Sequence, residues 1–204
     1  MARDRSPIVK QSRREGVPLH PKAMRVMVRK TGIPGQHAGG RMGKPSLYLT
    51  QMREKQKVRR MYGLMEKQFA KLVKQAERAK GETGENLLML LERRLDNVVY
   101  RAGFANSRRA SRQLVTHGHF LLNGKRVDIP SIRINSGDEI IVRPKSQKTG
   151  YFAGLAEIMA DNAKDVGWLK ADGKKMTIKI TGLPARSDAD ADIKEQLIVE
   201  YYSR

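Results

Sequence analysis

The fold of this chain is decided between Arg94 and Val127 by the stretch RLDNVVYRAGFANSRRASRQLVTHGHFLLNGKRV. It predicts the end of one helix, a short turn, a second helix rich in arginine and a tight hairpin. The first helix is expected to run through residues 85–102, because apolar side chains recur there at helical spacing. They are Leu88, Leu91, Leu95, Val98 and Ala102. The solvent face is expected to hold Arg93, Arg94, Asn97 and Arg101.

The second helix is the segment SRRASRQLVTH, which follows a turn at Gly103. Glycine often stands just past a helix C-terminus. Asn106 or Ser107 would cap the new helix, since their side-chain oxygens accept hydrogen bonds from its first turn. Ala110 and Leu114 should face inward. The outer face is expected to consist of Arg108, Arg109, Arg112, Gln113 and Thr116. Because arginines three or four apart on a helix repel one another, this face indicates an anionic partner.

The dipeptide Asn123-Gly124 predicts a two-residue hairpin turn, because both positions tolerate a positive φ. Its strands are expected at Phe120–Leu122 and Lys125–Val127. Two more short strands are predicted around residues 135–138, where apolar and polar residues alternate. Their apolar positions are Ile132, Ile134, Ile140 and Val142.

The stretch from Arg94 to Ser131 resembles the RNA-binding module named after the fourth protein of the small ribosomal subunit, the S-four module. RNA-modifying enzymes and synthetases also carry that module, so the flanks decide the family. Three flanking stretches resemble the bacterial S-four ribosomal protein family. They are PGQH at Pro34–His37, YLTQMREKQKVRRMYGLMEKQF at Tyr48–Phe69 and the C-terminal DADIKEQLIVEYYSR. The resemblance spans nearly the whole chain in the right order.

Positive charge is the strongest feature of the composition. The 204 residues include 41 Lys and Arg against 21 Asp and Glu, a net charge of +20. Residues 1–60 carry +13 of this charge, residues 61–160 carry +7, and residues 161–204 are neutral. Repulsion on this scale opposes a compact fold unless an anion compensates it, and nucleic acid is the common one. The alternative is a soluble basic protein with a solvated, charged surface.

Several protein classes are excluded by what the sequence lacks. No apolar run approaches the roughly 20 residues that span a bilayer, so no membrane partner is expected. The basic N-terminus has neither the apolar stretch nor the cleavage site of a signal peptide. With no cysteine, there is no disulfide and no thiolate metal site. This composition fits a cytoplasmic protein.

Residues 1–45 are expected to form a basic arm, with prolines and glycines too frequent for long regular elements. A short helix near residues 22–30 is the exception. The arm should become ordered when it binds RNA, and the loss of its conformational entropy then reduces the binding free energy. The alternative is a flexible solubilising tail. Its expected phosphate contacts are Arg3, Arg5, Lys10, Arg13, Arg14, Arg25, Arg29, Lys30 and Lys44.

Residues 46 to about 80 are expected to be helical, with a break at Gly63 and a loop at residues 80–86. The first helix carries the cations Arg53, Lys55, Lys57, Arg59 and Arg60. Tyr48 and Tyr62 flank them, and aromatic rings beside arginines stack on unpaired bases. Rings and cations are therefore assigned to an RNA surface. The second helix should bury Met65, Phe69, Leu72, Val73 and Ala76.

The C-terminal third predicts a helix at residues 150–165 and a last hairpin, with Trp168 in the core. A closing helix, capped by Asp192, should pack on the helix at residues 65–76. The predicted fold class is therefore α+β. A mainly helical, discontinuous domain comprises residues 46–92 and 181–204 behind the arm at 1–45. An RNA-binding domain is inserted at residues 93–180, with its module core at 94–157.

Candidates for a metal or catalytic site are few, and His117 and His119 are the pair that needs consideration. Two residues apart on a strand, they would share a face, but no cysteine or carboxylate partner is evident. An RNA contact or a structural hydrogen bond is the preferred interpretation. No catalytic residue, metal, cofactor or small-molecule substrate is expected. Many members of the resembled family hold zinc with cysteines in the arm; this chain has no cysteine, so no zinc is predicted.

We therefore interpret the chain as a structural and assembly protein of the small ribosomal subunit that holds a folded rRNA junction by phosphate contacts and shape. The module's expected contacts are Arg101, Arg108, Arg109, Arg112, Gln113, His117, His119 and Lys125. The resemblance implies early binding in assembly, contact with the fifth protein of the subunit, a place near the mRNA entrance and, in some members, repression of their own message. The alternatives are a free-standing RNA-binding regulator and an RNA-modifying enzyme, although no stretch is left for a catalytic domain.

Overall fold

The computed structural model describes residues 4–30, 32–36, 43–162 and 166–203, with the backbone alone at residues 161 and 162. The predictions for Arg3, His37 and residues 163–165 lie outside these ranges. Helices and one small antiparallel sheet form the described chain, so the predicted α+β class is confirmed. No helix within those ranges is long and apolar enough to cross a membrane.

The helices, in chain order, are α1 Ile8–Glu15, α2 Pro21–Arg29, α3 Leu47–Met61, α4 Glu66–Arg78, α5 Thr83–Glu92, α6 Leu95–Arg101, α7 Arg108–Thr116, α8 Pro144–Gln147, α9 Gly150–Ala153, α10 Leu155–Asn162 and α11 Glu195–Tyr202. The strands are β1 Phe120–Leu122, β2 Lys125–Val127, β3 Glu139–Val142, β4 Leu169–Asp172 and β5 Thr177–Ile180. The chain divides into two compact units, Met1–Leu87 with Asp192–Arg204, and Leu88–Ala191. The first unit is thus discontinuous, and the predicted domain limits remain predictions.

The arm is more regular than its prolines and glycines suggested. α1 packs against α2 and α3, and it ends at Gly16, whose φ is +73°. α2 confirms the short helix expected near residues 22–30. His20 caps it by accepting a hydrogen bond from the backbone N–H of Lys22 at 3.1 Å. Contrary to the expectation of an arm that orders only on RNA, these two helices pack within the protein.

α3 and α4 confirm the helices predicted on either side of Gly63. Ser46 caps α3 by accepting from the backbone N–H of Leu49 at 3.2 Å. Gly63 adopts a φ of +64°, which glycine reaches without strain, and the chain turns there into α4. The predicted apolar face of α4 is buried at Phe69, Leu72, Val73 and Ala76. Met65 lies outside it, because it precedes the helix and is exposed.

The closing helix differs from its prediction in two ways. α11 begins at Glu195 rather than beside Asp192, whose backbone carbonyl instead accepts from Lys57 Nζ at 2.7 Å. It packs mainly on α3, not on α4. Its contacts with α4 include Tyr202, whose ring centroid lies 6.2 Å from that of Phe69.

The continuous helix predicted over residues 85–102 is wrong. α5 starts earlier than expected, at Thr83, and ends at Glu92, and α6 starts at Leu95. The backbone between them pairs with residues 132–134 instead: Leu95 N donates to Ile132 O, and Ile134 N donates to Arg93 O, both at 2.9 Å. These bonds use backbone groups that a continuous helix would need. They also explain why residues 132–134 do not form the predicted strand beside β3.

The second unit is built around a sheet with the strand order β2-β1-β3-β5-β4, antiparallel throughout. Asn123 and Gly124 form the predicted turn, with φ values of +48° and +79°. The helix expected at residues 150–165 is broken at Gly154 into α9 and α10. The core cluster includes Leu95, Val98, Phe104, Val115, Phe120, Ile140, Phe152, Trp168 and Ile178.

Candidate nucleic-acid-binding surfaces

Arg101 was expected on the solvent face of α6, but it lies in the interior of the second unit. Its guanidinium binds the Glu92 carboxylate through two hydrogen bonds, of 2.9 and 2.8 Å. Glu92 is fully buried and also accepts from Asn97 Nδ2 at 2.8 Å. A buried carboxylate needs such partners, since an unpaired buried charge is costly. Arg101 and Asn97 are therefore structural, and the solvent-face prediction for them is wrong.

Asp96 organises a second group of arginines at the start of α6. It accepts two hydrogen bonds from Arg94, at 3.1 and 2.9 Å, and one from Arg112 Nη1 at 3.2 Å. Its backbone carbonyl accepts from Ser111 Oγ at 2.7 Å. This bond turns Ser111 and Val115 inward, whereas Ala110 and Leu114, the predicted inner residues, are only partly buried. Arg94 is 6% exposed, so it too leaves the predicted solvent face.

Arg108 is held at the edge of the same region. Its Nε donates to Asn97 Oδ1 at 2.9 Å, and its Nη2 lies 3.3 Å from a carboxylate oxygen of Asp190. The guanidinium also covers the ring of Tyr100, 4.7 Å from its centroid. Such contacts fix the orientation of the side chain while leaving it half-buried. Arg108 is thus anchored by the protein rather than mobile at its surface.

The outer side of α7 continues into the turn before β1. Gln113 and His117 are exposed as predicted, Arg109 is partly buried, and Lys125 is exposed on the neighbouring hairpin. Ser107 caps α7 by accepting from Ala110 N at 3.2 Å, which settles the choice between Asn106 and Ser107. These residues form the surface that we call the α7 surface: Arg109, Gln113, His117 and Lys125.

Gly118 brings two guanidinium groups to the end of the α7 surface. It adopts a φ of +70°, and a Cβ built there would lie 2.8 Å from Arg126 Nε. Arg143 Nη1 donates to the carbonyl oxygen of Gly118 at 3.0 Å. Another residue would be strained at this positive φ, and its Cβ would displace the Arg126 guanidinium. The turn therefore concentrates positive charge beside His117.

His119 supports the structural alternative considered for the histidine pair. Its Nδ1 lies 2.9 Å from Ser146 Oγ, and its ring packs at 5.6 Å from Phe152. Burial lowers the pKa of His119 below its ordinary value, and His117 and Arg143 lower it further. A neutral imidazole at neutral pH is a hydrogen-bond partner rather than a phosphate-binding cation.

Sequence reasoning missed four cations near this surface. Arg126 and Arg143 approach Gly118. Lys145 and Lys148 are exposed on the segment after Arg143, and the hydrogen bond between His119 and Ser146 holds that segment against the turn. The signal was present in the basic run RPKSQK at residues 143–148. It was overlooked because the segment is distant from α7 in sequence and only the sheet brings it close.

In the first unit, two lysines of α3 that were assigned to RNA are buried. Lys55 Nζ donates to Glu66 at 2.8 Å and lies 4.7 Å above the ring of Tyr201. Lys57 Nζ lies 2.7 Å from Glu54 and donates to the Asp192 carbonyl. Tyr62 is 4% exposed and cannot stack on a base. These three predictions are corrected: the two lysines hold α3 to α4 and to the C-terminal segment, and Tyr62 lies in the core.

The remaining cations of α3 also have acidic partners, and one of these partners, Glu15, belongs to the arm. The Glu15 carboxylate at the end of α1 accepts from Arg60 and from Arg53, at 3.3 Å in the second case. Burial raises the pKa of Glu15, while Arg60 and Arg53 act in the opposite direction. Arg59 donates to Gln56 at 2.9 Å and lies 3.6 Å from Glu66. Glu15 therefore fastens α1 to α3.

Cations of the arm divide into two groups. Arg13 donates to the carbonyl of Gly32 at 2.8 Å, and Arg14 donates to that of Pro34 at 3.2 Å, so both close the loop after α2. Arg5, Lys10, Arg25, Arg29, Lys30 and Lys44 are exposed. Tyr48 is half-exposed, with its ring 5.7 Å from that of Tyr201. Those six cations and Tyr48 form what we call the arm surface.

A metal centre does not emerge from the described ranges, where no group of three or more histidine, aspartate and glutamate side chains comes together. His117 and His119 stack at 5.9 Å between ring centroids without a third ligand among those residues. The described surfaces present exposed cations and hydrogen-bond donors.

Comparison with known proteins covers the whole chain. Residues 3–92 match the family described as ribosomal protein S4/S9 N-terminal domain, and residues 93–140 match the S4 domain. The chain is 50% identical to the small ribosomal subunit protein uS4 of Clostridioides difficile, over the full length of both chains. Full-length identity is 50% to the protein of that name from a Nocardioides species and 47% to that from Chlorobium phaeovibrioides.

Proposed function

The chain belongs to the family of the small ribosomal subunit protein uS4, and from this membership we propose how it holds ribosomal RNA. The resemblance recognised in the sequence is confirmed. The chain is a structural, rRNA-binding protein of the small ribosomal subunit. Neither a free-standing regulator nor an RNA-modifying enzyme is favoured by these matches.

One observation carries the assignment of RNA contacts to the second unit. Between residues 93 and 127 the chain has eight Lys and Arg but a single acid, Asp96. That acid is buried between Arg94 and Arg112. The segment itself therefore contributes no exposed carboxylate that would compete with an anion for its cations. We assign its phosphate contacts to the α7 surface, together with Arg126, Lys145 and Lys148.

Arg108 and Arg112 take a different part in this proposal. Each is held by side chains of its own unit, Arg108 by Asn97 and Asp190 and Arg112 by Asp96. An arginine whose fork is already oriented loses less conformational entropy when it meets a phosphate. These two residues then border the α7 surface as fixed donors, and their replacement would disturb the protein as well as its binding.

The first unit contributes the arm surface by the same reasoning. Within residues 1–45 the only acids are Asp4 and Glu15, and both are engaged. Asp4 accepts from Ser6 and Gln11, and Glu15 pairs with α3. Contacts of this kind recognise the sugar–phosphate backbone and the shape of a folded RNA rather than its base sequence.

Finer roles follow from the family and rest on it alone. We propose that the chain binds a junction in small-subunit rRNA early in assembly and acts in the cytoplasm without catalysing a reaction. Contact with the fifth protein of the subunit, a place near the mRNA entrance and repression of its own message belong to the same proposal. Co-sedimentation with small subunits at physiological salt supports it, whereas accumulation only in ribosome-free fractions would favour the free-standing regulator.

The α7 surface is tested by the variant R109Q/K125Q in the full chain. Each lost phosphate contact should make the dependence of log affinity on log salt shallower by roughly 0.7–0.9, and so by roughly 1.4–1.8 in total. The control is K174Q/K175Q in the turn between β4 and β5, which removes the same charge from exposed positions. Unchanged affinity and salt dependence of the first variant for small-subunit rRNA, with an intact circular dichroism spectrum, would reject this surface.

A further inference from the structure

α4 presents a basic face that neither the RNA contacts expected from the sequence nor the two surfaces above include. Lys67, Lys71, Lys74 and Arg78 are all exposed. At about 100° per residue they fall within an arc of roughly 60°. The buried residues Phe69, Leu72, Val73 and Ala76 lie on the opposite side. The four cations, which we call the α4 stripe, therefore form one straight row along the helix.

The stripe is not neutralised by the protein. Within the described ranges no ion pair or hydrogen bond joins these four side chains to another residue. Of the two acids in α4, Glu66 is taken by Lys55 and Tyr202, and Glu77 lies to the side of the row. Glu77 is exposed and lies three residues from Lys74 without forming an ion pair with it in the described structure, and no acid lies three or four residues from Lys67 or Lys71.

The arrangement costs helix stability, which indicates a use for it. Lys67–Lys71, Lys71–Lys74 and Lys74–Arg78 are neighbours of like charge, each opposing the helix by about 0.2–0.5 kcal/mol. Solubility alone is served as well by mixed signs. The row extends over about 16 Å at 1.5 Å per residue, which matches the span of several consecutive phosphates of one strand.

We propose that the α4 stripe is a further binding site for the sugar–phosphate backbone of ribosomal RNA. The inference rests on the proposed function, because the partner it commits to is the polyanion that this family binds. Phosphate is the group recognised, since a row of lysines offers point charges without a fixed hydrogen-bond geometry that would read bases. The stripe then adds affinity and salt dependence, not sequence preference.

The test compares K67Q/K71Q/K74Q with K170Q/K174Q/K175Q in the full chain. Both variants remove three exposed lysines that have no ion pair within the described residues, and glutamine keeps most of the side-chain stem. Affinity for small-subunit rRNA is measured from low to high salt. The α4 variant should make the slope of log affinity against log salt shallower by roughly 2–3, at roughly 0.7–0.9 per lost contact, and the control should leave it unchanged.

An equal change of slope in both variants would mean that only the total charge matters, and it would overturn the α4 stripe as a site. An unchanged slope in the α4 variant would overturn it as well. If the original chain itself fails to bind small-subunit rRNA, the proposed function fails; if it binds and the α4 variant matches it, only this inference fails. Amine labelling gives an independent readout. RNA should protect Lys67, Lys71 and Lys74, whereas protection by ribosomal proteins alone would overturn RNA as the ligand.

Discussion

At the scale of single residues, a few buried acids decide which cations of this chain face inward. Glu92 forms an ion pair with Arg101, Asp96 with Arg94 and Arg112, and Glu15 with Arg53 and Arg60. Each buried carboxylate requires compensation by a charge or by several hydrogen bonds. Cations near such an acid become structural, and the others remain at the surface for an anionic partner.

Replacing Glu92 with alanine should destabilise the second unit by about 3 kcal/mol, because the buried Arg101 would lose its two charged hydrogen bonds and keep only the more distant Asp190, at 3.6 Å, as an acidic partner. Asn97 would lose an acceptor as well. Urea unfolding measures the change. Glu157→Ala, at an exposed position of α10, is the control and should stay within about 0.5 kcal/mol of the original chain. An equally small loss of unfolding free energy in Glu92→Ala would mean that the Arg101 guanidinium becomes hydrated without disturbing the fold.

Glu66→Gln should change how stability depends on pH. Burial acts to raise the pKa of Glu66, but hydrogen bonds from Lys55 and Tyr202, with the nearby cations, lower it below the ordinary 4.5. A lowered folded pKa gives stability that is present above 4.5 and is lost as the pH falls through the folded value. The difference in unfolding free energy between the original chain and the variant should therefore shrink in acid. A difference in unfolding free energy that does not change with pH would contradict this role of Glu66.

At the scale of elements, helix ends and chain crossings matter more than helix propensity. α5 and α6 are separate because residues 93–95 pair with residues 132–134. α1 lies on α3 because a carboxylate at its end meets two arginines. Apolar faces set which side of each helix is buried, but these polar contacts set where the elements stop and what they touch.

Glu15→Ala should loosen α1 from α3. Arg53 and Arg60 would lose their carboxylate partner, at a cost of about 1–3 kcal/mol for the partly buried donors. Amide hydrogen exchange within Ile8–Glu15 should accelerate, while exchange within α7, in the other unit, should not change. Equal protection of α1 in both proteins would show that apolar contacts alone hold the helix.

At the scale of the whole molecule, the net charge of +20 must be matched by the RNA that the protein binds. Neutralisation of about eight phosphates predicts a slope of log affinity against log salt of roughly −5.6 to −7.2. Filter binding to small-subunit rRNA over a series of salt concentrations measures it. A flat response would contradict an electrostatic grip and would require base contacts or apolar burial instead.

The sequence by itself determined the family, the α+β class, the hairpin at Asn123-Gly124 and the buried faces of α4 and of α5 and α6. These depend on residues close together in the chain: the spacing of apolar side chains and glycines at positive φ. Charge composition indicated an anionic partner for the same reason, since it needs no knowledge of distance.

Only the tertiary structure decided which cations are at the surface. Lys55, Lys57, Arg94 and Arg101 look no different in sequence from Lys67 or Lys125, yet the first four are buried and the last two exposed. The difference lies in acids and carbonyls contributed by other elements, up to 135 residues away for Lys57 and Asp192. Electrostatic pairing depends on distance in space, which local sequence patterns do not encode.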